Sequence, residues 1–317
     1  MPELPDITVY VERLEDLIKG RPLGRIRLSS PFLLRSVAPP LGDFEGREVT
    51  GVIRRGKRIV FSFAGGLHLS LHLMIAGRLH WKAAGASIPK SNGLMAMDFP
   101  DGSLILTESG TKKRAALFAF PDLGSLQERF PVGLEPLTAS PAAFSAALRR
   151  ENHTLKRSLT DPRLFSGIGN SYSDEILHRA RLSPVLLTSK LTDDQVGTLH
   201  GAVKEVLEEW TAILRKEAQG GFPEKVTAFR AGMAVHGRYG QPCPVCGSPV
   251  QRIRYAENET NYCPVCQTGG KLLADRALSS LLRKDWPRSL EEMEKLLAKH
   301  KASFREPAPG GEALPET

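Results

Sequence analysis

The chain begins Met1-Pro2-Glu3-Leu4-Pro5. A small second residue such as proline permits removal of the initiator methionine, which leaves Pro2 with a free secondary amine of pKa near ~8. A useful fraction of that amine is unprotonated at neutral pH and nucleophilic. Its attack on the anomeric carbon of a sugar gives a positively charged iminium, an electron sink for eliminating groups farther along the sugar, and Glu3 is placed to shuttle the protons. Taken alone, the same five residues also fit a stiff structural start to a helix.

The four cysteines form two knuckles, Cys243-Pro-Val-Cys246 and Cys263-Pro-Val-Cys266, with sixteen residues between them. That is zinc-ribbon spacing: four thiolates presented tetrahedrally to one ion, with no open position for a substrate water. One structural zinc is therefore expected. The competing reading, two disulfides, needs an oxidising compartment, and the sequence shows no export signal that would deliver the chain to one.

Basic residues cluster at Arg54-Arg55-Gly56-Lys57-Arg58, Lys112-Lys113-Arg114 and Lys156-Arg157, and 43 Lys and Arg against 35 Asp and Glu leave a net charge of +8. Such clusters favour a polyanion by releasing its condensed counterions, although charge alone also fits a merely basic surface. The run Gly167-Ile168-Gly169-Asn170 lies between helical segments. Its glycines allow close backbone approach to a phosphate, and amides at the following helix start can bind it. A plain turn between helices is the alternative. His68 and His72 do not make a metal pair, since no third ligand lies nearby in sequence.

These residues need a scaffold, and 317 residues with 41% hydrophobic and 25% charged composition suggest two domains with a small appended module. The first helix is expected from about Asp6 to Lys19, with Ile7, Tyr10, Val11, Leu14, Leu17 and Ile18 on one stripe. From Arg25 to Leu126 the pattern is strand-rich, a two-sheet sandwich or flattened barrel. In it, Leu67, Leu69, Leu71 and Leu73 share a core face, which leaves His68, Ser70 and His72 on a face free for work. Beyond 130–136 the period turns helical. Ser140-Pro141 is an N-cap, and Thr192-Asp193-Asp194-Gln195 a capping box opening a long core helix. After the ribbon, 272–299 reads as helical in two pieces, and 307–317 as disordered. No run approaches ~18 apolar residues, so no membrane span or secretory signal is expected.

Pro2-Glu3-Leu4-Pro5 before a helix, Lys57 in a basic turn, Gly167-Ile168-Gly169-Asn170 leading into Asp174-Glu175, and the four-cysteine finger together resemble the formamidopyrimidine-DNA glycosylase and endonuclease VIII family over residues 1 to about 267. The resemblance implies an α+β multidomain chain. Its expected parts are an N-terminal β-sandwich of two sheets with a leading helix (1–132), a helix-two-turn-helix domain (133–235), a zinc finger (236–270) and an extension (271–317). It implies Pro2 as the Schiff-base nucleophile, Glu3 as general acid or base and Lys57 as the lysine beside the sugar and phosphate. Asn170, helped by Lys156, becomes a phosphate ligand, and His72, which opens the family's His-Leu-Gly-Met-Ser-Gly turn, another. A flipped base and a kinked backbone need such cationic support.

The sequence departs from the family pattern at four places. The turn reads His72-Leu73-Met74-Ile75-Ala76-Gly77, with Ile75 in register with the wedge methionine and Met74 with a glycine. Either can fill the gap left by a flipped base. Thr107 to Arg114 stands where one branch has an Arg-Phe-Gly loop, so opposite-base reading does not carry over. Asn258 replaces the finger-tip arginine; Arg252 or Arg254 could compensate. The last 51 residues exceed the usual family length. The expected function is base-excision repair of double-stranded damaged DNA by a monomeric cytoplasmic glycosylase and lyase, with β-elimination more secure than δ. A damaged-DNA binder with little catalysis is the alternative.

Overall fold

A computed structural model describes residues 1–224, 226–227, 229–255, 258–274 and 286–303. Helix α1 (Leu4–Ile18) starts two residues earlier than its periodicity suggests. Pro5 is compatible with the first turn, and the Asp6 carboxylate accepts the Glu3 amide at 2.9 Å, which fastens the helix start. Eight strands follow: β1 (Arg25–Leu28), β2 (Val49–Arg55), β3 (Arg58–Phe63), β4 (His68–His72), β5 (Gly77–Lys82), β6 (Gly93–Phe99), β7 (Gly102–Glu108) and β8 (Ala116–Phe120). They form two antiparallel four-stranded sheets, β1-β6-β7-β5 and β2-β3-β4-β8. The sandwich core takes Ile7, Tyr10 and Leu14 of α1, Phe61 and Phe63 of β3, Leu69 and Leu71 of β4, and Leu104 and Leu106 of β7.

The second face of β4 is not free. Ser70 is fully buried and His68 nearly so, with His68 Nδ1 3.0 Å from Ser62 Oγ. A short helix, α2 (Leu123–Arg129), covers this side. Its Leu126 packs with Val60 and the aromatic cluster of Phe118, Phe120 and Phe130. Alternation marks the two faces of a strand but cannot show that a later element will cover one of them. Only His72, at the strand end, remains half-exposed.

The helical part comprises α3 (Pro141–Arg149), α4 (Leu155–Thr160), α5 (Asn170–Arg179) and α6 (Asp193–Ala218). Ser140 caps α3, and Thr192 with Gln195 makes the capping box of α6. The α6 stripe Val196, Leu199, Val203, Val206, Leu207 and Trp210 is buried against α5 and α3. Helix α1 belongs to both units: Leu4 lies in the helical core while Ile7 and Tyr10 lie in the sandwich core, and Arg215 of α6 forks onto Glu12 at 2.6 and 2.9 Å. The chain terminus is thereby fixed at the seam. The finger hairpin β9 (Gln251–Tyr255) and β10 (Asn258–Tyr262) leads into α7 (Pro264–Thr268). Among the described residues of the extension, Lys271 pairs with Ser289, and α8 (Leu290–Ser303) follows. The other expected helical piece falls mostly, and the 307–317 tail entirely, outside the described residues.

Candidate active site and nucleic-acid interface

Pro2 and Glu3 are buried where α1 meets the loop before α5. The Leu4 amide donates to Gly167 O at 2.9 Å, and the Glu3 carboxylate receives the amides of Gly169 (2.6 Å), Ser171 (2.8 Å) and Tyr172 (3.3 Å). These are orphan donors of a helix N-terminus, whose dipole favours an anion. Gly169 is required by proximity: a Cβ there would lie 2.5 Å from Glu3 Cδ and 2.7 Å from Lys57 Nζ. Lys57, in the β2–β3 turn, therefore flanks the same carboxylate.

Burial works against the charged form of both amines here. Burial lowers the pKa of the terminal amine below its ordinary value; Arg78 and Lys57 act the same way, and Glu3 and Asp6 oppose them. Burial likewise lowers Lys57, with Glu3 opposing and Lys156 assisting. The terminal amine present is that of Met1. Removing Met1 transfers the terminus to Pro2, which is more deeply buried.

The β4–β5 turn places His72, Met74 and Ile75 in succession. His72 Nδ1 accepts the Met74 amide at 3.0 Å, and burial, reinforced by Arg58 and Lys57, lowers the imidazole to about 3. His72 is thus a neutral donor through Nε2 rather than a cation. Met74 adopts a left-handed conformation (φ 53°), and Ile75 is 52% exposed at the apex. Described residues of the segment after α6 lie over β5: Arg78 donates to Val226 O, and Glu224 receives His80 (2.6 Å) and Lys82 (3.2 Å). Between this segment, α1 and the end of α6 lies a cavity of about 660 Å³ bordered by Asp6, Phe222, Phe229 and Arg230. Loop 109–114 is mostly exposed, and its base is clamped by the buried Glu108 carboxylate, which receives the amides of Arg114 and Ala115.

Asn170 and Lys156 meet at the start of α5, but both already have protein partners. Lys156 Nζ donates to Asn170 O (2.6 Å) and to the fully buried Asp174 carboxylate (2.5 Å); Asn170 Nδ2 donates to Glu259 O of the finger (2.9 Å). The other Asp174 oxygen takes His236 Nδ1 and the Asn261 amide, and Glu175 takes the amides of Ala234, Val235 and His236. One helix thus clamps both the linker and the finger. The Asn258 side chain lies outside the described residues.

The four Sγ atoms of Cys243, Cys246, Cys263 and Cys266 lie within 4.8 Å of one another, with two pairs at 3.4 and 3.9 Å. Tetrahedral zinc with Zn–S of ~2.3 Å requires S···S of about 3.8 Å, so the cluster fits one ion. His178 Nε2 of α5 sits 3.3 Å from Cys243 Sγ, and Gln267 bridges the Cys263 amide to Leu182 O. The finger therefore docks on the helical unit at its metal ligands.

Comparison with known proteins fits this arrangement. Residues 1–109 match the formamidopyrimidine-DNA glycosylase N-terminal domain, 132–219 the formamidopyrimidine-DNA glycosylase H2TH domain, and 240–269 a zinc finger found in FPG and IleRS. A formamidopyrimidine-DNA glycosylase of Thermus thermophilus is 32% identical over 276 residues, 85% of this chain and 100% of the relative. The chain belongs to the formamidopyrimidine-DNA glycosylase family. An uncharacterized formamidopyrimidine-DNA glycosylase-like protein of Mycobacterium tuberculosis is 42% identical over 152 residues, 48% of this chain and 94% of the relative. The Lactococcus lactis glycosylase bound to DNA containing an abasic site superposes with a TM-score of 0.75 at 26% identity, over 84% of this chain and 99% of that one.

Within this family frame, several residues escaped the sequence reading. The buried Asp6–Arg230 pair (3.0 Å) ties the 219–231 segment to α1, yet its members lie 224 positions apart. No sequence signal singled out His178, which the structure sets beside Cys243. Arg252 and Arg254, named as substitutes for the finger-tip arginine, both pair with Glu259, a partner the sequence did not indicate. Asp174 and Glu175 were part of the recognised motif, but nothing in the sequence told which partners they hold.

Proposed function

We propose that this chain is a bifunctional DNA glycosylase and lyase that excises damaged bases from double-stranded DNA through a Schiff base on Pro2. With Met1 removed, the Pro2 nitrogen attacks C1′ of the damaged nucleotide and the bond to the base breaks. Glu3 takes the proton that the attacking amine releases and passes it to the opening sugar oxygen, which leaves the iminium; the returned carboxylate then accepts the C2′ proton, and the electrons of that C–H bond expel the 3′ phosphate by β-elimination. Hydrolysis of the imine returns the free amine. Lys57 stands beside Glu3 to hold sugar and phosphate, His72 offers a neutral hydrogen bond to the backbone, and Ile75 is the side chain available to enter the gap left by the base. The cavity beside Asp6 offers room for that base. Zinc bound by the four cysteines would hold the finger's shape and take no part in the chemistry.

The observation carrying this reading is the convergence of a buried chain terminus, a carboxylate held by three backbone amides and a lysine on Gly169. The enzyme is read as a monomer acting in the cytoplasm, where four free thiols remain available for zinc. Borohydride reduction during turnover should leave a covalent protein–DNA adduct that Pro2→Gly abolishes. Tight binding to damaged duplexes without an adduct would instead identify a lesion-binding protein.

A further inference from the structure

We propose that Arg230 is a positioning residue for the nucleophile: acting through the buried Asp6 carboxylate, it holds the peptide unit next to the Pro2 nitrogen. Asp6 Oδ2 accepts the Glu3 amide at 2.9 Å, and Asp6 Oδ1 accepts Arg230 Nη2 at 3.0 Å. The atoms from Pro2 Cα to Glu3 Cα are coplanar, so a held Glu3 N–H fixes that plane and leaves one torsion between it and the Pro2 nitrogen. The Leu4 amide, bonded to Gly167 O at 2.9 Å, fixes the next plane. The amides of Gly169, Ser171 and Tyr172 hold the Glu3 side chain, whereas Asp6 holds the Glu3 backbone, closer to the reacting atom.

The carboxylate can do this only while it keeps its charge and its place. The side chains of Asp6 and Arg230 are 4% and 7% exposed. Burial pushes the Asp6 carboxyl above its ordinary range and the Glu3 carboxylate adds to the rise, while the Glu3 amide and Arg230 hold it down. Without the guanidinium the buried charge is uncompensated, so the carboxyl takes a proton or turns toward water. The other terminal nitrogen of Arg230 donates to Glu217 Oε2 of α6 at 2.9 Å, so the guanidinium is itself fixed from two helices. The Arg215–Glu12 fork joins the same helices, α6 and α1, through exposed side chains farther along α1. It ties the helices together without touching the terminus, which makes it the internal comparison.

The inference rests on Pro2 as the nucleophile, and its test reads both the chemistry and the backbone. In zinc-loaded full-length protein with Met1 removed, Arg230→Met should slow single-turnover borohydride trapping on an abasic-site duplex by about tenfold to a hundredfold, with the duplex dissociation constant changed less than about threefold. Adding Asp6→Asn to Arg230→Met keeps an oxygen for the Glu3 amide and leaves no buried charge, so the rate should return to within about fivefold of wild type. Asp6→Asn alone must turn its nitrogen toward either Arg230 or the Glu3 amide; it should slow trapping like Arg230→Met, and it carries the test if that variant does not fold. Arg215→Met should leave the rate unchanged. Exchange of the Glu3 amide hydrogen, followed by NMR, reports the hold without any chemistry and should quicken about tenfold in Arg230→Met. A wild-type rate in Arg230→Met, a double variant as slow as the single one, or an equal loss in Arg215→Met overturns the proposal. If no protein forms an adduct, quickened Glu3 exchange upholds the hold on the terminus and sinks the lyase reading, whereas unchanged exchange sinks both.

Discussion

Glu3 and Lys57 converge on one backbone position: the point where a Cβ on Gly169 would sit is 2.5 Å from the Glu3 carboxyl carbon and 2.7 Å from the lysine nitrogen. The glycine is needed for the space in front of it, since its φ of −130° is open to any residue. Gly169→Ala must push the carboxylate, the lysine or both away from the chain terminus. A displacement of about 1 Å at a reacting group costs on the order of 100-fold in rate. The expected result is a fall of that size in single-turnover adduct formation, with binding to an abasic-site analogue changed only a few-fold. Wild-type rates in this variant would show that the convergence has no catalytic role.

The direction of the amine shift fixes a pH profile. Burial, with Arg78 and Lys57, lowers the pKa of the Met1 amine; with Met1 removed, the more deeply buried Pro2 nitrogen should shift in the same direction and be unprotonated from a pH below the ~8 of an ordinary terminus. Adduct formation should rise with pH through a midpoint under that of a free prolyl peptide. It should fall again at high pH, earlier than an ordinary lysine would dictate, because burial also lowers Lys57. Arg78→Met removes one lowering charge and should move the acid-side midpoint upward. A wild-type midpoint at or above the peptide value contradicts the burial argument.

The chemical elements were legible because each is a short local pattern: Pro2 and Glu3 at a terminus, Lys57 in a turn, two cysteine knuckles, and caps such as Ser140 and Thr192. Their tertiary partners were not. Nothing local to Arg230 shows that it reaches Asp6, and nothing local to His178 shows a thiolate beside it. The supposed free face of β4 failed for the same reason, since its cover comes from Leu126 and Phe130, more than fifty residues downstream. Where sequence reading named donors, as for Lys156, the structure adds that a buried acid already holds them.

The turn after β4 separates two candidates for the wedge. Met74 is half-buried in a left-handed conformation that disfavours non-glycine residues by about 1 kcal/mol, whereas Ile75 projects from the apex. Met74→Gly should therefore raise the unfolding temperature by about 2 °C and keep the preference for damaged over intact duplex. Ile75→Ala should leave stability unchanged and reduce that preference roughly tenfold, measured by competition binding. Loss of the preference in Met74→Gly alone would reverse the assignment.

The contact between His178 and Cys243 predicts how the finger keeps its metal. Burial lowers the His178 pKa, so the ring is neutral at physiological pH, and its Nε2 lies 3.3 Å from the sulfur, in position to donate an N–H to a thiolate. Hydrogen bonds of this kind around a zinc site are worth on the order of 10- to 100-fold in metal affinity. His178→Phe should speed zinc loss to a chromogenic chelator by such a factor and shift the sulfur-to-metal charge-transfer band of the cobalt-substituted protein. His178→Gln, which can still donate an N–H, should recover part of both effects. Metal loss should also weaken DNA binding, because the finger strand that carries Glu259 O is the partner of Asn170. Equal release rates in all three proteins would show that the thiolate does not use the imidazole, and would leave Gln267 as the finger's polar anchor beside the cysteines.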